Sequence, residues 1–221
     1  METLREFDVA LFSALNGCHN AYFDNFMWLV AGKFAWLLMI VALLLTLRNK
    51  GWRTTLLTVI TVAVVITIAD QVSSGIIKPI VERLRPSHNP DLAATIHVVN
   101  GYHGGLYGFV SSHAANSFGV ATLIALLFRN RLVACAMLGW AVLVSYSRIY
   151  LGVHYPGDIV CGAVIGVAAG ALVAWLWRKY GHDTGKWAVV KFTLQDARML
   201  SAAVLANVLI LAAVAFTGAF A

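Results

Sequence analysis

Three short polar stretches interrupt an otherwise apolar chain, and each carries residues able to handle an anion. They run from Lys78-Pro79 to Arg85-Pro86, over Val110-Ser111-Ser112-His113, and from Ser147-Arg148 through His154 to Asp158. Cations and imidazoles near a bilayer cost free energy, so several of them together are a functional hypothesis by default. Read as one site, Lys78, Arg85 and Arg148 form a cationic cage, His154 is the attacking group and His113 is the acid. Such a cage stabilises charge on transferring phosphoryl oxygens.

Arg148, His154 and Asp158 are the most specific group. Pro156 reads as the first residue of a helix, so His154 stands just before it and Asp158 in its first turn. The helix dipole favours a carboxylate there. Asp158 can accept the proton-bearing ring nitrogen of His154, which fixes the tautomer and frees the other nitrogen as a nucleophile. Arg148 brings a planar fork suited to phosphate oxygens. Ser111-Ser112-His113 opens a second helix, whose free N–H groups and dipole suit a phosphate oxygen. The structural alternatives are a plain N-cap for either serine and a core histidine for His113. Lys78 and Arg85, seven residues apart, share one face if their segment is helical, about 10 Å apart along the axis. Pro79 suits a helix start or kink, and Pro86 ends the helix. A basic cluster holding lipid headgroups is the alternative for that pair. There is no H-E-x-x-H and no carboxylate cluster, so neither a metal nor another cofactor is expected.

Lys78-x6-Arg85-Pro86, Ser111-Ser112-His113 and Ser147-Arg148-x5-His154-x3-Asp158 together resemble the three signatures of the type 2 phosphatidic acid phosphatase and vanadium haloperoxidase superfamily. The resemblance covers about Lys78 to Asp158, and the surrounding spans resemble its membrane-embedded bacterial members. It implies a phosphohistidine intermediate on His154 positioned by Asp158, with His113 as general acid. It also implies phosphate contacts from Lys78, Arg85, Arg148, Ser111 and the backbone at Ser112. The second signature departs from the usual Pro-Ser-Gly-His, reading Val110-Ser111-Ser112-His113. Losing Gly narrows the room beside a phosphate, and losing Pro frees φ before the helix. Implied substrates are lipid phosphates or diphosphates: undecaprenyl diphosphate or lipid A phosphates first, then phosphatidylglycerophosphate and phosphatidic acid. Rival readings are a proton- or ion-coupled transporter using His154, Asp158 and Asp70, and a non-catalytic lipid-binding protein on the same scaffold.

The elements that must position these residues are membrane helices. Hydrophobic residues make up 60% of the 221 and charged ones only 12%, with a mean hydropathy of +0.79, against roughly 25% charged in a soluble domain. One all-α bundle of about six transmembrane helices is expected, as a single domain with its catalytic core at about 78–158. A transmembrane helix needs about 20 apolar residues, and the candidate spans are Phe26–Leu47, Thr54–Ile77, Ser111–Phe128, Leu132–Tyr146, Ile159–Trp177 and Met199–Phe220. The 15-residue fourth span requires extension into its flanks or tilted neighbours. Lys33 falls inside the first: either it snorkels to the interface, or residues 1–32 (1–25 as a helix) lie along the membrane surface. The N-terminus has no basic n-region followed by an apolar core, so a cleaved leader is not expected.

Ten of the sixteen basic residues fall in alternate loops: Arg48, Lys50, Arg53, Arg129, Arg131, Arg178, Lys179, Lys186, Lys191 and Arg198. The positive-inside rule puts that face in the cytoplasm and all three polar stretches on the outward face of the inner membrane. Topology thus explains the formal charge of +6 without nucleic acid; the sequence leaves the oligomeric state open. Gly162, Gly166 and Gly170 recur every four residues and read as a close helix-packing stripe. Cys18, Cys135 and Cys161 read as packing residues, and His88, His97 and His103 as solvated loop residues with headgroup contact second. Asp70 reads as a bundle hydrogen-bonder or a partner of a catalytic cation, and Glu82 and Arg83 as a local pair.

Overall fold

The computed structural model describes residues 2–32, 34–92, 94–183 and 191–218, with the backbone alone for 181–183. Lys33, Lys186 and the Phe220 end of the last expected span lie outside the described residues. The chain forms α1 (Glu2–Asn16), α2 (Ala21–Val30), α3 (Leu37–Arg48), α4 (Trp52–Asp70), a π-helical segment (Gln71–Ile77), α5 (Lys78–Val81), α6 (Ser112–Phe128), α7 (Arg131–Tyr150), α8 (Pro156–Asp183) and α9 (Leu194–Phe216). Among the described residues, four helices are long and apolar enough to cross a membrane: Trp52–Val81, Arg131–Tyr150, Pro156–Tyr180 and Leu194–Phe216. Leu37–Arg48 and Ser112–Phe128 are shorter apolar helices. The protein is an all-helical, multi-pass membrane bundle.

Local chemistry sets the helix starts. Asn20 accepts from the Phe23 amide at 3.0 Å and Asn130 from the Leu132 amide at 2.9 Å, satisfying otherwise orphaned N-terminal donors. Thr193 and Asp196 form a capping box on α9, and Lys50 ties Asp196 back to the α3–α4 loop at 2.6 Å. α7 runs from Arg131 to Tyr150, five residues beyond the expected span counting both ends, so it lengthens into its flanks.

The expected first span, Phe26–Leu47, is instead broken between α2 and α3. The Trp36 indole donates to the Val30 carbonyl at 3.1 Å. From α9, Asn207 accepts from the Met39 amide at 3.1 Å and donates to the Ala35 carbonyl. Irregular backbone survives in a bundle only where such partners satisfy it.

The expectation of a helix from Lys78 to Arg85 also needs correction. A Pro79 ring in a continuing α-helix would strike the Gly75 carbonyl one turn back; the π segment widens the turn there, with the Lys78 amide bonding Ser73. The helix then stops at Val81, because Glu82 adopts the left-handed conformation with φ 49°. Lys78 and Arg85 are therefore on either side of a turn.

The main core packs Met27, Val30, Met39, Ile124, Met137, Tyr150 and Leu200 between α2, α3, α6, α7 and α9. A smaller cluster of Phe12, Leu92, Ile149 and Tyr155 seats α1. Leu4, Phe7 and Leu11 form the exposed stripe of α1. Cys18 and Cys135 are exposed, so the packing role expected of them does not hold.

α6 and α8 approach backbone to backbone. A Cβ on Gly162, Gly166 or Gly170 would collide with the carbonyls of Ser111, Ala115 and Gly119 respectively, which is the close packing that the stripe suggests. Gly166→Leu is expected to cost about 1–3 kcal/mol or more and to lower the melting temperature of the detergent-solubilised protein. Gly139→Ala, at a position with open space around it, is expected to leave it unchanged or slightly raised.

Candidate active site

The three polar stretches meet at one end of the bundle, opposite the end carrying Lys50 and Arg178. Lys78 caps the long second apolar helix and donates from Nζ to the Ser112 hydroxyl at 3.3 Å. Ser111 is the N-cap of α6, its Oγ accepting from the Ala114 amide at 3.4 Å, so the N-cap alternative holds for this residue. Its own amide donates to the Asp158 carbonyl at 3.0 Å. At this helix start the N–H groups of Ser112 and His113 have no intrahelical acceptor. His113 is exposed and lies within electrostatic reach of Arg148, His154, Arg85 and Lys78.

Arg85 is delivered by a loop closed on itself. The Arg85 amide donates to Leu106 at 3.1 Å and the Gly108 amide to Arg83 at 2.8 Å, around an isolated antiparallel bridge of Leu84 and Tyr107. Gly104, at φ +67°, lies against the Arg85 guanidinium, where a Cβ would sit 3.4 Å from Cζ. Arg148 comes from the last turn of α7. His154 lies on the short connection to α8, and Asp158 in the first turn of α8. All four side chains are withdrawn from solvent, with relative exposures of 9% for Arg85, 3% for Arg148, 1% for His154 and 0% for Asp158.

One contact fixes the protonation of the site. Arg85 Nη1 lies 2.8 Å from His154 Nε2 and also donates to the Val153 carbonyl at 3.0 Å. A guanidinium can only donate, so Nε2 carries the lone pair. The ring proton is then on Nδ1, which faces Asp158 Oδ2 at 3.3 Å. Burial first, then the charges of Arg85, Arg148 and Lys78, hold the imidazole well below its ordinary pKa, with the Gly108 carbonyl pulling the other way. The ring is neutral, with the lone pair of Nε2 turned toward Arg85.

The guanidinium groups retain unused donors. Arg148 Nη2 donates to the Tyr102 hydroxyl at 3.0 Å, but the Nε atoms of both Arg85 and Arg148 are buried without a hydrogen-bond partner. A buried donor left unmade costs about 1–3 kcal/mol. Two such donors on guanidinium groups that both act on the His154 imidazole call for an explanation, and an anion would supply the missing acceptors.

Sequence reasoning missed several participants. Tyr102, from the 86–110 loop, holds Arg148 and packs edge-on against Trp28. Arg83 does not pair with Glu82; its Nη1 donates to Asp158 Oδ1 at 3.2 Å and to Asp8 at 2.8 Å. Asp70 accepts from Ser74 at 3.4 Å, the role of a hydrogen-bonder within the bundle, while Lys78 bonds Ser112. His97 is not a solvated loop residue: it bonds Asp24 at 2.8 Å and its amide bonds Asn16 at 2.8 Å. His88 and His103 face each other at the rim with ring centroids 5.9 Å apart. The Arg-x-Arg-Pro spacing was the one signal available for Arg83; nothing local marked Tyr102 or Asp8.

Comparison with known proteins identifies the family. The model of the PAP2 superfamily matches residues 59–182. The lipid A 4'-phosphatase of Bacteroides thetaiotaomicron is 42% identical over 185 residues, covering 82% of this chain and 80% of that protein. The lipid A 4'-phosphatase of Porphyromonas gingivalis is 36% identical over 188 residues, covering 85% of this chain and 78% of its own. In fold, the chain is similar to the transmembrane PAP2-type phosphatidylglycerolphosphate phosphatase of Bacillus subtilis, with a TM-score of 0.63 at 22% identity over 81% of this chain and 89% of that one. The family match spans the second apolar helix to the end of α8, the segment that carries every residue of the cage, and the chain belongs to the PAP2 superfamily.

Proposed function

We propose that this protein is an integral membrane phosphatase that removes a phosphate from a lipid, with lipid A phosphate as the favoured substrate. The observation that carries the reading is the pair of unpartnered, buried guanidinium Nε–H groups beside the neutral, Asp158-held His154. A tetrahedral phosphate dianion supplies acceptors for both. The names of the two relatives that cover most of the chain support lipid A over undecaprenyl diphosphate, and they give the transporter alternative no support.

In this mechanism the phosphate enters between Arg85 and His154, taking over the Arg85 donors and uncovering Nε2. Lys78, Arg85 and Arg148, the Ser111 hydroxyl and the N–H groups at the start of α6 hold its oxygens. His154 Nε2 attacks phosphorus as its Nδ1 proton leans on Asp158. The bond to the lipid oxygen breaks as His113 gives that oxygen a proton. Water, deprotonated by His113, then displaces the phosphoryl group from His154 and releases inorganic phosphate. The three cations provide the charge stabilisation, so no metal is called for. The basic loops at the other end of the bundle support an orientation with this site at the outer leaflet of the inner membrane.

The test is phosphate release by the purified protein from lipid A, undecaprenyl diphosphate, phosphatidylglycerophosphate and phosphatidic acid. Turnover of lipid A, abolished by His154→Ala, is expected; turnover surviving His154→Ala overturns the mechanism. His113→Ala is expected to slow lipid A hydrolysis by about 10²–10⁴-fold. It should slow the first-turnover release of the alcohol from an aryl phosphate, whose leaving group needs little protonation, far less. Asp158→Asn, which favours the wrong tautomer of His154, is expected to reduce kcat by up to about 10⁴-fold with a small change in KM.

A further inference from the structure

We infer that Asp8, on the N-terminal helix, is a positioning residue for catalysis, acting through Arg83 on Asp158; the inference rests on the phosphatase reading above. Asp158 links Arg83 to His154. Its Oδ2 takes the His154 Nδ1 proton and the Tyr155 amide at 3.0 Å, so its orientation sets that of the nucleophile. Its other oxygen has one side-chain partner, Arg83 Nη1 at 3.2 Å. Arg83 is partly exposed and sits on a turn next to the left-handed Glu82, so a single contact to Asp158 does not fix it.

Asp8 supplies the missing constraint from the opposite side. Its Oδ2 takes the same Arg83 Nη1 at 2.8 Å, and its Oδ1 accepts the Gly157 amide at 2.7 Å, in the first turn of the helix that carries Asp158. A Cβ at position 157 would stand 2.8 Å from Asp8 Oδ2, so glycine there makes room for the carboxylate. The Tyr155 ring completes the seat, with the Arg83 guanidinium 3.9 Å above it and Phe12 edge-on at 5.4 Å.

The seat is anchored along one face of α1. Asp8, Phe12 and Asn16 recur every four residues and point the same way. Asn16 donates to the carbonyls of Tyr150 at 2.9 Å and His97 at 3.0 Å and accepts the His97 amide at 2.8 Å. Helix α1 therefore holds the turn of Arg83, the end of α7 and the start of α8 in one register. The chain from Asp8 through Arg83 and Asp158 to His154 transmits that register to the attacking nitrogen. Neither Asp8 nor Arg83 touches the phosphate cage, so their loss acts on the reaction and not on binding.

Asp8→Asn keeps an acceptor for Gly157 and removes the charge that grips Arg83. It is expected to lower kcat on the lipid substrate roughly 10- to 100-fold, with KM within about twofold and an unchanged melting temperature. Arg83→Gln should match it, and the double variant should be no worse than Arg83→Gln alone, as for residues acting in series. Asp8→Glu, which restores the charge, should recover part of the rate. Additive losses, or single variants within about twofold of wild type beside an inactive His154→Ala, overturn the inference and leave the phosphatase reading standing. A readout without turnover covers failure of that reading. In protein labelled with ¹⁵N-histidine, the Nδ1–H signal lost in His154→Ala should exchange with solvent faster in Asp8→Asn. Unchanged exchange overturns the positioning role.

Discussion

The structure is organised around a carboxylate that has no exposure to water. An unpaired charge in that position would cost several kcal/mol or would neutralise itself. Asp158 is held instead by donors from three directions: the imidazole of His154, the amide of Tyr155 and the guanidinium of Arg83. Its backbone carbonyl receives the amide of Ser111 at 3.0 Å, which docks the start of α6 onto the start of α8. One residue thereby binds the imidazole of His154, the N-terminus of α6 and the turn that delivers Arg85. Burial that would otherwise be destabilising becomes the reason these parts share a fixed geometry.

Directionality follows from the same arrangement. Arginine has no acceptor, so its contact with His154 leaves the imidazole one choice of tautomer, and the carboxylate behind the ring accepts the remaining proton. The cationic cage repels a proton on that imidazole, and in the proposed mechanism the same charges would hold the phosphate oxygens. The glycine stripe on α8 contributes at the level of the backbone. By letting α6 approach until carbonyls face glycine Cα atoms, it brings the Ser111–His113 turn within hydrogen-bonding distance of Asp158.

Much of this was legible in the residues. The spacing His154-x3-Asp158 across a proline-started helix gave the orienting bond, because one helical turn separates residues before and within that start. The stripe Gly162-Gly166-Gly170 gave the closest helix pair for a similarly local reason. What the sequence hid depends on chain segments far apart or on local exceptions. Asp8 lies 75 positions from Arg83 and 150 from Asp158, and no periodicity links them. The turn at Glu82 required a left-handed residue that is not glycine, a conformation that composition does not announce. Within the first span only Lys33 hinted at the break, because its compensation is an asparagine on the last helix.

That asparagine has a consequence for how the bundle is made. The amide of Met39 and the carbonyl of Ala35 find their side-chain partner only in Asn207, some 170 positions later in the chain. Met39 and Ala35 stand four positions apart, so an unbroken helix would pair this amide with this carbonyl; the Asn207 side chain bridges them where the helix is broken, in a medium that offers no water in exchange. The broken entry to α3 therefore reaches its final form only when α9, far along the chain, docks against it.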